Sequence, residues 1–262
     1  MKPKKVHVLG VIPARYGSTR LTGKPLIDLC GKPMVQHTYE RASRAASMDA
    51  LIIATDDGRI YNAVKKFGGT AVMTPTTCTS GSDRIAHVLR ELFDADIAVN
   101  IQVDQPLLDP MMIDECVQGL LDDRAVEVAT LVKRISDPAD LENSNIPKVV
   151  LDRERHALYF SRAMIPLPRD NGDVHELLRR HLYYKHIGLY VYRRAFLFRF
   201  TAWKPTPLEE AERLEQLRAL EHGVRIRVVE TRHDSVGVDT PDDLARVQRL
   251  LERRAWTPSS SS

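Results

Sequence analysis

The sequence predicts an α/β protein: a mostly parallel sheet in a three-layer arrangement, with a β-rich insertion in the second half. Three observations carry this. Short apolar runs alternate with amphipathic segments of roughly ten to fifteen residues through the first 125 positions. From about residue 126 the pattern turns β-rich, and a helix–strand–helix sequence returns near the end. Strands alternating with helices imply a parallel sheet covered on both faces.

Taken in order, KVHVLGVIPA reads as a first buried strand and MVQHTYERASRAA as a helix. ALIIATD is a second strand running into the aspartate pair Asp56–Asp57, and RIYNAVKKFG a helix closed by Gly68 and Gly69. TAVMT is strand-like. SDRIAHVLRELFD repeats the helical spacing, IAVNIQVD is a strand, and DPMMIDECVQGLLDD is a helix with a proline near its start. VEVATLVKRI, KVVLDRERHALYF and HIGLYVYRR are the β-rich part, with DRER as a hairpin turn; residues 163–181 read as irregular. LEEAERLEQLRALEHG reads as one helix ended by Gly223, VRIRVVE as a strand, and TPDDLARVQRLLERRA as a helix capped by Thr240 with Pro241 at its first position. The tail, 256–262, is expected to be disordered. The economical organisation is one domain over 1–255, an α/β core at about 1–125 and 224–255 with a β-rich insertion at about 126–223.

A net charge of +3 on 262 residues gives no nucleic-acid footprint. Cys30, Cys78 and Cys116 lack CxxC spacing and read as free thiols of a reducing compartment. No apolar stretch approaches a membrane span, and His7, Gly10 and Pro13 interrupt the only signal-like run, so a cytoplasmic protein with no membrane partner is expected.

VIPARYGSTRLTGKPL, residues 11–26, runs from a strand straight into a loop with Arg15, Arg20 and Lys24. In open α/β sheets ligands bind beyond the carboxyl ends of strands. Glycines let the backbone approach an anion, and a following helix would aim its N-terminus at the same place. The spacing does not meet G-x-x-x-x-G-K-[ST], so this is a phosphate loop of another design.

PARYGSTRLTGKPL closely resembles the opening motif of the CMP-Kdo synthetases, the cytidylyltransferases that activate 3-deoxy-D-manno-octulosonate (Kdo). SGSDRIA, NIQVDQP, KVVLDRERHALYFSRAMIP, HIGLYVYR, PLEEAERLEQLRALEHG and GVDTPDDL continue the resemblance in order from about residue 8 to 248. It implies a nucleotide-diphospho-sugar transferase-like, Rossmann-like fold, CTP and an acid sugar as substrates, Mg²⁺ as cofactor, and a homodimer, with the nucleotide bound by the part at about 1–125 and 224–255 and acceptor binding and dimerisation in the part at about 126–223. By the same resemblance Arg15, Arg20 and Lys24 meet the triphosphate, and Asp104 and Asp239 hold the metal. Ala14, Ser80, Ser82 and Arg84 would lie near the base or ribose, and Gln102 would bridge nucleotide and acceptor. On the acceptor side, Arg162 is expected at the sugar carboxylate, His186 and Tyr190 on one strand face, and Glu212 and Gln216 on one helix face.

The chain departs from the family pattern in places. Val103 and Gln105 stand where the family has glycine and glutamate in Q-G-D-E-P. Thr22 replaces a proline, Asp83 a glutamate and Val191 a glycine. These changes leave open Kdo itself, another small acid acceptor, a different nucleotide, or a nucleotide-binding homologue with weak turnover. They also leave the pathway open.

Overall fold

The computed structural model describes residues 5–17, 21–169, 173–179 and 183–255. The chain divides into two compact units: 1–95 with 100–110 and 235–262, and 96–99 with 111–234.

The first unit opens with strand β1 (Val8–Ala14), buried along nearly its whole length, as the apolar run predicts. After the basic loop comes a single 3₁₀ turn, Lys24–Leu26, with Pro25 inside it. The helix read from Met34 is in place but does not adjoin this turn. Two-residue strands β2 (Asp28–Leu29) and β3 (Lys32–Pro33) form a ribbon, and helix α1 (Met34–Ala42) begins only after it. β4 (Ala50–Thr55), α2 (Gly58–Lys66), β5 (Ala71–Met73) and α3 (Gly81–Glu91) follow. β4 lies between β1 and β5 and is parallel to both, as right-handed strand–helix–strand connections require. Asp57 caps α2 by accepting from the Arg59 amide, and Gly68 leaves that helix at φ +78°.

The second unit is β-rich, as the change in sequence pattern indicates. It contains β6 (Ile97–Asn100), α4 (Pro110–Asp122), β7 (Val128–Arg134), α5 (Pro138–Glu142), the hairpin β8 (Lys148–Leu151) and β9 (Ala157–Ser161), α6 (Val174–Arg179), β10 (Tyr184–Arg193), α7 (Arg194–Ala202), α8 (Pro207–Glu212), α9 (Gln216–Glu221) and β11 (Ile226–Glu230). Its strands run in the order β11-β7-β10-β6, with β8 on β10 and β9 on β8. β11 is parallel to β7, whereas β10 is antiparallel to β7 and β8. The chain then returns to the first unit with α10 (Pro241–Ala255), where Thr240 and Asp243 form the capping box.

Several sequence expectations need correcting. The strand read in IAVNIQVD stops at Asn100. Beyond Ile101, whose amide still reaches the Val11 carbonyl, the chain folds into turns closed by Gln105 N to Gln102 O and Leu108 N to Gln105 O. Gln102, Asp104 and Gln105 therefore stand on a loop. The helix read over 208–223 is two helices, broken at Arg213, which takes a left-handed φ of 54°. The stretch 163–181 carries helix α6, which packs Leu178 into a cluster with Ile135, Leu141 and Tyr183. α5 and α7 were not predicted. The tail from 256 lies outside the described residues, and none of the described helices is long and apolar enough to cross a membrane.

Candidate active site

In the first unit the predicted aspartates converge. Lys24 Nζ donates to Asp104 Oδ2 at 2.6 Å and to Asp239 Oδ1 at 3.0 Å. The lysine side chain is 10% exposed, against 28% for Asp104 and 41% for Asp239, so the carboxylates keep a face toward solvent. Packing explains the convergence. Leu107 and Val238, each a residue or three from an aspartate, are buried in one cluster with Leu29, Met34 and Val247. The Val238 amide donates to the Asp104 carbonyl at 2.9 Å, and Thr38 Oγ1 donates to the Val103 carbonyl at 2.9 Å. The capping box of α10 extends one residue outward: Asp243 Oδ2 also accepts from the Asp239 amide.

The basic loop is pinned at both ends. Gly23 N donates to Tyr16 O at 3.0 Å, and the Arg59 guanidinium lies 3.3 Å over the Tyr16 ring. Gly23 has φ +69°, and a Cβ there would meet the Tyr16 ring at 3.1 Å, so the pinch requires glycine. Lys24 follows immediately, and the buried Pro25 fixes its direction. Arg15 is exposed at the mouth of the loop, while Ala14 is buried at the end of β1. Arg20 lies outside the described residues.

The Ser80–Arg84 segment is the start of α3. Ser80 accepts from the Asp83 amide and Asp83 Oδ2 accepts from the Ser80 amide, so the aspartate in place of the family's glutamate still closes a capping box. Ser82 is buried. Arg84 is 3% exposed and pairs with Asp56 at 2.8 Å and with the Thr74 hydroxyl. Its charge is thus met inside the protein. Asp56 and Thr74 escaped the sequence reading, although the aspartate pair Asp56–Asp57 at the end of the strand was a visible signal. Gln102 Nε2 donates to Asn100 Oδ1 at 3.0 Å. Val103 is not among the left-handed residues, so valine for glycine strains no backbone angle here. Gln105 is different: its Oε1 is buried with no hydrogen-bond partner among the described residues.

In the second unit the acceptor candidates fall into two sets. Glu212 and Arg162 bind protein groups. Glu212 accepts from Ser161 Oγ at 2.6 Å and from the Arg162 amide at 3.0 Å. The Arg162 guanidinium donates to the carbonyls of Glu212 (2.7 Å), Ser144 (3.0 Å) and Arg213 (3.4 Å). Capture of the Glu212 and Arg213 carbonyls is why the helix breaks where no glycine or proline marks it. Glu212 and Gln216 therefore do not share a helix face.

The second set has unspent polar atoms. Tyr190 Oη and Gln216 Nε2 are buried and make no hydrogen bond to the described residues. His186 and Tyr190 do meet, with ring centroids 5.3 Å apart. Residues four apart on a regular strand would stand about 13 Å apart; a bulge between Ile187 and Tyr190 shortens this. His186 also packs edge-on to Phe160, and desolvation pushes its pKa down to about 3. Val191 is fully buried opposite Ala129.

Comparison with known proteins shows the family to which the chain belongs. A family model described as cytidylyltransferase matches residues 9–226. The 3-deoxy-manno-octulosonate cytidylyltransferase of Syntrophus aciditrophicus (strain SB) is 52% identical over 250 residues, 95% of this chain and 98% of the relative. That of Geobacter metallireducens is 51% identical over 252 residues, covering 95% and 99%. A solved structure of CMP:2-keto-3-deoxy-manno-octonic acid synthetase complexed with CTP superposes with a TM-score of 0.86 at 42% identity, over 95% of this chain and 99% of that one.

Proposed function

The chain belongs to the cytidylyltransferase family, among its 3-deoxy-manno-octulosonate enzymes, and from that membership we propose how its own residues carry the reaction. It joins CMP from CTP to Kdo. A sugar hydroxyl gives up its proton to solvent as its oxygen attacks the α-phosphorus, the bond to the α,β-bridging oxygen breaks, and pyrophosphate leaves with that oxygen. The product is an activated acid sugar of the kind that lipopolysaccharide assembly consumes.

Two anions have to be brought together, so charge neutralisation and positioning are the protein's main tasks. Arg15 and Lys24, with Arg20, bind the triphosphate; the arginine fork suits bidentate contact and the lysine offers a compact charge. The nucleotide's base and ribose lie against Ala14, the Ser80–Ser82 turn and Gln102. Arg84, held by Asp56 and Thr74, fixes the start of α3.

Asp104 and Asp239 fit a divalent cation. Their oxygens already reach one ammonium, they are hard donors, and each stays partly exposed. Mg²⁺ takes one or two such carboxylates and completes its shell with water and substrate oxygens. When bound, it supplies Lewis-acid polarisation of the α-phosphate and lowers the pKa of the attacking hydroxyl. Lys24 stands between the same carboxylates and turns to the phosphates as the nucleotide enters.

In the second unit Tyr190 and Gln216 offer their unpaired buried groups to the acceptor's hydroxyls, and His186 joins them as a neutral ring. Arg162 and Glu212 shape the wall behind them. The enzyme acts in the cytoplasm as a homodimer formed through the β-rich unit, which light scattering after gel filtration checks.

The observation that carries this reading is the convergence of Lys24, Asp104 and Asp239, far apart in sequence, at one point. The test is pyrophosphate release from CTP with Kdo and Mg²⁺, followed by identification of CMP-Kdo. Release with another acid sugar and none with Kdo would overturn the acceptor assignment. Release that survives metal removal by chelator would overturn the metal assignment.

A further inference from the structure

β10 and β7 pair regularly except at one place. Ile187 faces Leu131 and Tyr190 faces Thr130, so Gly188 and Leu189 bulge out of the ladder. Opposite the bulge stands Thr130, fully buried. Its Oγ1 lies 2.8 Å from the Leu189 carbonyl, 3.3 Å from the Ile187 carbonyl and 2.9 Å from His186 Nε2.

A hydroxyl has one hydrogen to give. A carbonyl oxygen can only accept, so the hydrogen goes to Leu189 O, the nearer of the two carbonyls. The 2.9 Å contact with the imidazole is then a hydrogen bond only if Nε2 carries the proton and donates to the threonine oxygen. The reverse assignment would set two lone pairs against each other at Leu189. In a neutral imidazole, a proton on Nε2 leaves Nδ1 bare.

We propose that Thr130 is a positioning residue for the acceptor site, fixing His186 as the Nε2–H tautomer so that Nδ1 offers a lone pair to an acceptor hydroxyl. The same hydroxyl holds the bulge that brings the His186 and Tyr190 rings together, so one side chain sets both the tautomer and the spacing. His186 as a whole residue is partly exposed, while desolvation of its ring keeps the imidazole neutral across ordinary pH. The chemistry selects for a polyhydroxylated acceptor, because a bare nitrogen rewards a donor and repels a carboxylate. This inference rests on the reading that His186 and Tyr190 face the acceptor.

Long-range ¹H–¹⁵N correlation on the uniformly labelled, ligand-free enzyme at pH 7 reads the tautomer directly. The expected spectrum has a protonated Nε2 and an unprotonated Nδ1 for His186, the resonance being assigned by its loss in His186→Gln. In Thr130→Val the tautomer preference is lost and the KM for Kdo rises about tenfold, the cost of one misplaced buried hydrogen bond. The KM for CTP is unchanged. Thr130→Ser, which keeps the hydroxyl, restores both readouts. A wild-type spectrum with Nδ1 protonated overturns the proposal without recourse to any variant, should the valine protein fail to fold. So does a folded Thr130→Val enzyme with wild-type tautomer and wild-type KM for Kdo. If the wild type makes no CMP-Kdo at all, the acceptor reading fails, while the tautomer is still decided by the spectrum.

Discussion

Replacing Lys24 by methionine should move two measurements in opposite directions. The ammonium sits 2.6 Å from one aspartate oxygen and 3.0 Å from the other. Without it, two carboxylates about 5 Å apart repel by roughly 3 kcal/mol at an effective dielectric of about 20. Both are partly exposed, at 28% and 41%, so solvent screening reduces this to about 1 kcal/mol. A divalent ion relieves that repulsion and no longer has to displace the lysine. Manganese, titrated into the nucleotide-free protein and followed by EPR, should therefore bind Lys24→Met about fivefold more tightly than wild type. Turnover should go the other way. Losing one preorganised cation at a triphosphate costs about 10² to 10³ in kcat/KM, read by pyrophosphate release. Weaker manganese binding in the variant, or turnover that survives, would refute the reasoning.

Other substitutions test the neighbouring parts. Asp56→Asn leaves the Arg84 guanidinium, 3% exposed, without its carboxylate, and should lower unfolding free energy by about 3 kcal/mol in urea titration. Gln216→Met removes a buried amide nitrogen that has no partner among the described residues. The free protein should gain about 1 kcal/mol while the KM for Kdo rises about tenfold. Stability should also fall on acidification from pH 6.5, because the unfolded chain then takes up a proton that His186, held down to about 3, refuses in the fold. The sign is a loss of stability as pH falls, by up to about 1.4 kcal/mol per pH unit from this one group. Carboxylates such as Asp152 and Glu230 are shifted downward and so contribute only below about pH 4.5. Between those limits, His186→Gln should remove one proton from the measured slope.

Much of this was legible because it depends on local rules. Periodicity located β1, β4 and β5, and Ser80 and Thr240 mark helix starts by their chemistry. The aspartate pair was legible through resemblance, and the core around Leu107 and Val238 supplies the physical cause of its convergence. What stayed hidden depends on partners distant in sequence. Nothing local at Arg213 announces a break; Arg162, 51 positions earlier, makes it by taking up the helix-end carbonyls. The bulge in β10 needs Thr130, 59 residues before the carbonyl it satisfies. Arg162, Arg84 and Glu212 were read as ligand contacts because a sequence shows a charge without showing what already answers it.

The central claim is that Asp104 and Asp239 work as a single unit on the nucleotide's metal, and a double-mutant cycle on kcat/KM with CTP and Kdo tests it most directly. Asp104→Asn and Asp239→Asn should each lose about 10² to 10³, and the double variant should lose little more than either alone. Losses that simply multiply, or a single variant with wild-type turnover, would contradict the account.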